Sequence, residues 1–208
     1  MIVQEPGTAR PGGRTARTRA AVMQAIVDEL AEHGYAGTTV ERVAARAGIA
    51  KTTIYRRWRS LDGLLADVMA ERAEQQIPVP DEGDLGSDLR ALARSVVASV
   101  RPPAIRAAVA GIVAAAVQDP AAREVLSRFL AARAATMTVI IDRATLRGEL
   151  PPGTDAAGVI QTVTALIYYR LFIAGEPASE QVADGAAAIA AAAARAGALA
   201  TPNRRGPR

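Results

Sequence analysis

The chain's most reactive-looking surface chemistry lies in one short run, KTTIYRRW at residues 51–58. Spaced as a helix would space them, Thr52, Thr53, Arg56 and Arg57 fall on outer or flanking surfaces once Ile54 is turned inward. An arginine can donate two hydrogen bonds to a guanine edge, and a threonine offers a hydroxyl together with a methyl that meets thymine. Lys51 and Tyr55 suit phosphate oxygens. Arg17, Thr38 and Thr39 complete the candidate DNA-binding set. This is recognition chemistry for a polyanion with readable edges, and it breaks no covalent bond.

A reading helix of this kind needs a sharp turn before it, a small residue where two helices cross, and apolar pins that hold its inner face. The stretch TTVERVAARAGIAKTTIYRRW supplies each: Ala44 at the crossing, Gly48 for the turn, and Val43, Ala47, Ile49 and Ile54 as pins. Charge agrees with the pattern. Up to Ser60, ten Lys and Arg stand against five acids, whereas the rest of the chain has fifteen against sixteen. The basic excess of the protein therefore coincides with the motif, and double-stranded DNA is the expected partner.

Catalysis finds little to work with. The one histidine, His33, sits at the end of the first predicted helix, where a C-terminal cap or a phosphate neighbour explains it. No cysteine is present, which removes disulfides, thiolate metal sites and thiol nucleophiles and fits a cytoplasmic home. HExxH, GxSxG and GxxxxGK(S/T) are all absent, and the acidic run DEGD after Pro80 reads as an exposed turn. We expect no enzyme, no cofactor and no metal. The alternative within reach of the residues is a helix-turn-helix module serving an architectural or protein-interaction role without an effector, with enzyme function a weaker one.

The remaining chain predicts an all-α fold of about nine helices. Half of its 208 residues are hydrophobic and aromatics are scarce, with apolar positions at helical spacing. The first helix runs from about Thr15 to His33 and stops at Gly34. The second is capped by Thr38, three residues before Glu41, and ends at Gly48. The third covers Lys51 to Trp58, and the fourth runs from a Ser60 cap to about Gln76. PVPDEGD breaks the pattern, after which helices start at Ser87, Pro103, Pro120, Thr154 or Asp155, and Ser179. Domains follow: a flexible arm at 1–13, a DNA-binding domain with its linking helix at 14–77, a larger helical domain at 78–200, and a flexible tail at 201–208. No stretch of spanning length is free of charge and Gly/Pro interruption, so neither a membrane span nor secretion is expected. The last two helices carry more apolar surface than one amphipathic face needs, which a second copy about a two-fold axis would cover.

Residues from about Arg17 to Leu65 resemble the DNA-binding domain of the TetR family of bacterial regulators. Three elements match together: HGYAGTTV, AARAGIAKTTIYRRW and SLDGLL. The family's Gly-(Val/Ile)-Ser-x-x-Thr-(Leu/Ile)-Tyr-x-x-(Phe/Trp) falls on Gly48 through Trp58, with Ala50 in place of the usual Ser and Leu61 where Lys is common. The resemblance implies a homodimer joined through the last two helices. It also implies a C-terminal ligand-binding domain in which a small apolar or amphipathic effector moves the linking helix and releases a palindromic operator. Polar or adaptable residues set in apolar stretches, Arg133, Met137, Gln161, Thr164 and Tyr168, are the candidate ligand-binding residues.

Overall fold

The computed structural model describes residues 13–200. The expected arm and tail fall on residues outside these, apart from Gly13. Nine α-helices are present among the described residues: α1 (Arg14–Gly37), α2 (Val40–Ala47), α3 (Lys51–Trp58), α4 (Leu61–Gln76), α5 (Leu85–Ser99), α6 (Pro103–Gln118), α7 (Pro120–Leu146), α8 (Ala156–Tyr168) and α9 (Glu180–Arg195). A π-helical turn, Tyr169–Ile173, extends α8. The only strand-like pairing among the described residues is the isolated bridge between Thr154 and Ala200.

Most helix starts follow from side chains that satisfy otherwise unpaired backbone N–H groups. Ser60 accepts from Gly63, Asp119 from Ala121, Asp155 from Gly158 and Ser179 from Val182, at 2.8–3.3 Å. Two expected caps are displaced. α2 is capped by Thr39, whose hydroxyl accepts from the Arg42 amide at 3.2 Å, because the hydroxyl of Thr38 is spent donating to the Gly34 carbonyl at 2.7 Å. α5 is capped by Asp84, which accepts from the amide of Ser87, the residue expected to cap it. A carboxylate one turn upstream is the better acceptor for the same N–H groups.

Two apolar clusters hold the helices. One gathers Val22, Ile26 and Leu30 of α1, Val40 and Val43 of α2, Ile54 and Trp58 of α3, and Leu64, Leu65 and Val68 of α4. It extends into Ala108 and Ile112 of α6 and Val125 of α7, so the core of the reading head is completed by the following helices. α5 and α6 meet at 97°, which turns α6 back across α1. The approach is close: a β-carbon on Gly111 would lie 3.6 Å from the Gly34 Cα, and Gly34 itself has φ +66°, a conformation costly for other residues. The second cluster joins α5, the C-terminal half of α7, α8 and α9.

The linker between α4 and α5 is pinned from α7. Arg133 donates to the Ile77 carbonyl at 2.8 Å and Arg143 to the Pro80 carbonyl at 3.0 Å. Just beyond α7, Arg147 pairs with the fully buried Asp88, which also accepts from the Glu82 amide at 2.6 Å. By length and mean hydropathy (1.4 over 18 residues) the run Ala156–Ile173 meets the bound for a membrane span, despite Gly158 and Arg170 within it. Only 28% of that run is buried, most of α8 is half-buried, and the exposed large apolar side chains, Tyr169 and Ile173, lie in the π-helical extension.

Candidate nucleic-acid interface

α2 and α3 form a helix-turn-helix whose geometry is set by a few residues. Gly48 closes α2 with φ +65°, its amide bonded to Ala45, while the amide of Ile49 returns to the Ala44 carbonyl at 3.0 Å. This left-handed C-terminal turn costs a β-carbon-bearing residue about 1 kcal/mol or more. Ile54 and Trp58 bury the inner side of α3 against α1 and α4. Lys51, Thr52, Tyr55, Arg56 and Arg57 are left exposed in one row, with Thr53 half-buried beside them. Ala50 precedes the helix with no side-chain cap, as a methyl must.

The exposed cations are not equivalent. Lys51 lies 3.7 Å from the Glu41 carboxylate, and the Arg57 guanidinium sits 5.2 Å over the Trp58 ring. Both are partly committed to the protein. Arg56 has no partner among the described residues and is the free cation of the three. Arg17 and Thr39 are exposed at the periphery. Thr38 is not available: it is buried and its hydroxyl is used within the turn, which corrects its place in the candidate set.

Two polar networks fix the reading helices, and sequence spacing shows neither. Glu29, buried on α1, accepts from Arg42 at 2.8 Å and Arg46 at 2.6 Å, both on α2. Arg46 also reaches Glu32 at 2.9 Å, and His33 stands 3.2 Å from Glu29 and against Arg42. The hydrogen bond from Arg42 is the main reason the Glu29 carboxyl lies below the usual range, against the opposing effect of burial. Glu29, Glu32 and His33 bring donor atoms within 4.8 Å of one another, as a metal site would. Arg42 and Arg46 already neutralise both carboxylates there. In the second network, Asp67 of α4 accepts from the Trp58 indole at 2.8 Å and from Arg19 of α1 at 2.9 Å. Arg19 also pairs with Glu71, and Tyr35 donates to Asp62 at 2.6 Å. α4 is thereby tied to both α1 and the reading helix.

Because the Glu29 carboxyl is depressed in the fold, its contribution is complete above the ordinary carboxylate range and is lost as pH falls through the lowered value. Glu29→Gln is expected to destabilise the protein by about 2 kcal/mol at neutral pH. In melting experiments at successively lower pH, the gap between variant and parent should narrow below the ordinary carboxylate range. A gap independent of pH would show that the charge of Glu29 is not what α2 depends on.

Two cavities behind the reading head lie between α4 and the helices that follow it, beside a third, of about 420 Å³, lined by Glu74, Arg128 and Arg133 among others. Arg133, Met137, Gln161, Thr164 and Tyr168 all line one of them, of about 380 Å³, between the end of α4, α5, α7 and α8. Met137 is buried, Gln161 stands at the exposed rim, and the Thr164 hydroxyl is used by its own helix, donating to Ile160 at 3.1 Å. The second cavity, about 290 Å³ and almost wholly apolar, lies beneath α4 among α1, α6 and α7. It was not legible in the sequence. Its walls, including Leu30, Met69, Ile105 and Leu126, come from six helices and look like ordinary core positions. Ile77, Phe129, Leu130 and Tyr168 line both cavities.

The domain family described as "Bacterial regulatory proteins, tetR family" matches residues 22–68, and "Tetracyclin repressor-like, C-terminal domain" matches residues 79–201. The chain belongs to the TetR family. It is a DNA-binding transcriptional regulator. Its relatives include the regulator YdeS of Bacillus subtilis, 27% identical over 163 residues, covering 78% of this chain and 82% of that protein. Among solved structures, the TetR family regulator SCO0332 is 27% identical with a TM-score of 0.66, covering 85% of this chain and 97% of that one. The flavonoid-responsive regulator FrrA shares the fold at 19% identity and TM-score 0.62, over 90% and 99% of the two chains. In this TetR-family chain the two matched regions leave residues 69–78 between them, the second half of α4 and the start of the linker, where α7 holds the Ile77 carbonyl.

Proposed function

We propose that this regulator is a homodimeric repressor acting in the cytoplasm. It sits on a palindromic operator through α3 and is released when a small apolar or amphipathic molecule fills the cavities behind α4. Residues 14–77 serve as reading head and linking helix, and residues 78–200 bind the effector and dimerise. The observation that carries the reading is the exposed row of Lys51, Thr52, Tyr55, Arg56 and Arg57 on a helix locked from behind by Ile54 and Trp58. Lys51 and Tyr55 meet phosphates, whereas Thr52, Thr53, Arg56 and Arg57 approach base edges; Arg17 and Thr39 touch the flanking backbone.

Dimerisation is supported by the uncovered apolar side chains on the π-helical extension of α8 and on α9: Tyr169 is 58%, Ile173 69% and Ile189 50% exposed. A second copy would cover them, and paired reading helices would then face two half-sites. Effector binding is supported by the convergence of the five candidate residues on one cavity. That a protein of this fold, FrrA, is named for its response to flavonoids adds to it.

The test is fluorescence anisotropy of the purified protein with tiled DNA from its own upstream region, against excess random competitor. One palindromic segment should survive competition, with affinity roughly a thousandfold or more above random duplex. Equal binding to every tile would overturn operator recognition and leave the architectural reading.

A further inference from the structure

Charge is distributed unevenly between the two cavities and the rest of the protein. No aspartate or glutamate lines either of these two, yet each has an arginine in its wall: Arg72 of α4 in the apolar cavity and Arg133 of α7 in the one of about 380 Å³, while Glu74 lines the neighbouring cavity that shares Arg133. Many arginines elsewhere in the fold are paired with carboxylates, including Arg19, Arg42, Arg46, Arg94, Arg147 and Arg195. Neither Arg72 nor Arg133 has a carboxylate within salt-bridge distance among the described residues. Arg133 is half-buried, and its one hydrogen bond runs from Nη2 to the Ile77 carbonyl at 2.8 Å. The hydroxyl of Tyr168, which lines both cavities, has no hydrogen-bond partner among the described residues.

A cation held in an apolar wall, with a neutral carbonyl as its one hydrogen-bond partner and the Glu74 carboxylate beyond salt-bridge distance, loses hydration that these two replace only in part. Burial accordingly makes the Arg133 guanidinium easier to deprotonate than usual. An anion arriving beside it would restore the missing interaction, and a charge-assisted hydrogen bond from Tyr168 would add to it. The rest of the wall, with Leu92, Val96, Met137 and Ile160, asks for an apolar body.

Resting on the reading of these cavities as the effector site, we propose that the effector is an amphipathic anion. Its carboxylate or similar acidic group pairs with Arg133 and the Tyr168 hydroxyl, and its apolar body lies among the α5, α7 and α8 side chains. The pairing also supplies a route to release. Arg133 holds the carbonyl that ends α4, so an anion that draws the guanidinium away frees the α4 terminus. α4 in turn carries Asp67, the acceptor for Trp58 of the reading helix.

The experiment uses the full-length protein and three probes below their micellar concentrations: uncharged N-phenylnaphthylamine as a fluorescent reporter of the cavities, with decanoate and decanol as competitors of equal chain length. An apolar cavity without a cation favours decanol, because burying an ionised carboxylate costs far more than burying a hydroxyl. Here decanoate should displace the reporter at roughly tenfold lower concentration than decanol. Arg133→Gln should abolish that preference, read as the ratio of decanoate to decanol displacement on the same protein, and Arg133→Lys should retain part of it. Displacement by decanol as strong as by decanoate, or an Arg133→Gln protein that still prefers decanoate, would overturn the anionic assignment while the cavity reading stands. A reporter that does not bind, with no shift in melting temperature from either competitor, would remove the effector reading and this inference with it.

Discussion

Arg56→Ala is expected to weaken binding to the cognate palindrome by roughly 1–3 kcal/mol at each half-site, so by up to about 6 kcal/mol for the dimer, with little change on random duplex. The reason is its lack of any partner among the described residues: its donors are available to a base edge, and their loss is specific to the sequence that satisfies them. Lys51→Ala should behave differently in kind. A phosphate contact is lost on every duplex alike, and the slope of log affinity against log salt falls by about one per half-site. Because Lys51 already shares the Glu41 carboxylate at 3.7 Å, fewer counterions are displaced when it meets DNA, so the change should come out below that figure. Tyr55→Phe separates the hydroxyl from the packing of the ring. Anisotropy titrations over a salt series with cognate and random duplexes read all of these. Unchanged cognate affinity in all three variants, each folded and dimeric, would show that α3 is not the reading head.

How much of this was legible in the sequence depended on the distance over which each feature is encoded. The helix-turn-helix is written locally: Ala44, Gly48 and Ile54 act within a dozen residues, so their types alone imply the turn and the buried face. The caps are nearly as local, and the two misplacements arose where two residues within one turn of each other could each serve. Thr38 and Thr39 have the same side chain, and only the position of the Gly34 carbonyl decides which hydroxyl is free. Glu29 looked like one more residue on a helical face. Its bonds to Arg42 and Arg46 span 13 and 17 residues, and no periodicity encodes them. The five polar or adaptable positions in apolar stretches do meet in one cavity, because a polar side chain in an apolar run must face either solvent or a space. The apolar cavity and Arg72 left no such signal.

The same networks explain how the two halves can communicate. Arg133, Arg143 and Arg147 hold the linker after α4, and Asp67 and Asp62 on α4 hold Trp58, Arg19 and Tyr35 at the reading head. A shift of α4 cannot leave α3 untouched while the Asp67–Trp58 bond persists. The packing of α6 against α1, where Gly111 faces Gly34, offers a second mechanical link. Whatever occupies the cavities acts on elements already bonded to the DNA-facing helices, and by linkage operator DNA must oppose that occupant to the same extent.

Ile189→Asp is expected to convert the dimer to monomer and to weaken operator binding by roughly a hundredfold to ten-thousandfold. Two half-sites on one duplex are engaged together only when the reading helices are joined, and the joined complex gains from the high effective concentration of the second helix. Ile189 is half-exposed on α9, next to Ala188 and Ala192, while its buried neighbours Ala186, Ala187 and Ala190 make the packing within the chain. An aspartate there should leave the monomer folded, since it faces solvent until a partner arrives. At a two-fold interface each substitution acts twice, so burying two carboxylates opposes association strongly. Leu146→Asp is the matched control: Leu146 is 88% exposed at the end of α7, outside α8 and α9, and the same change there should alter neither mass nor affinity. Sedimentation velocity gives the assembly state, circular dichroism the fold, and anisotropy the affinity. A folded Ile189→Asp protein that stays dimeric with parental affinity would exclude this face of α9 from the dimer contact, and the two-fold axis would then have to be sought elsewhere on the molecule.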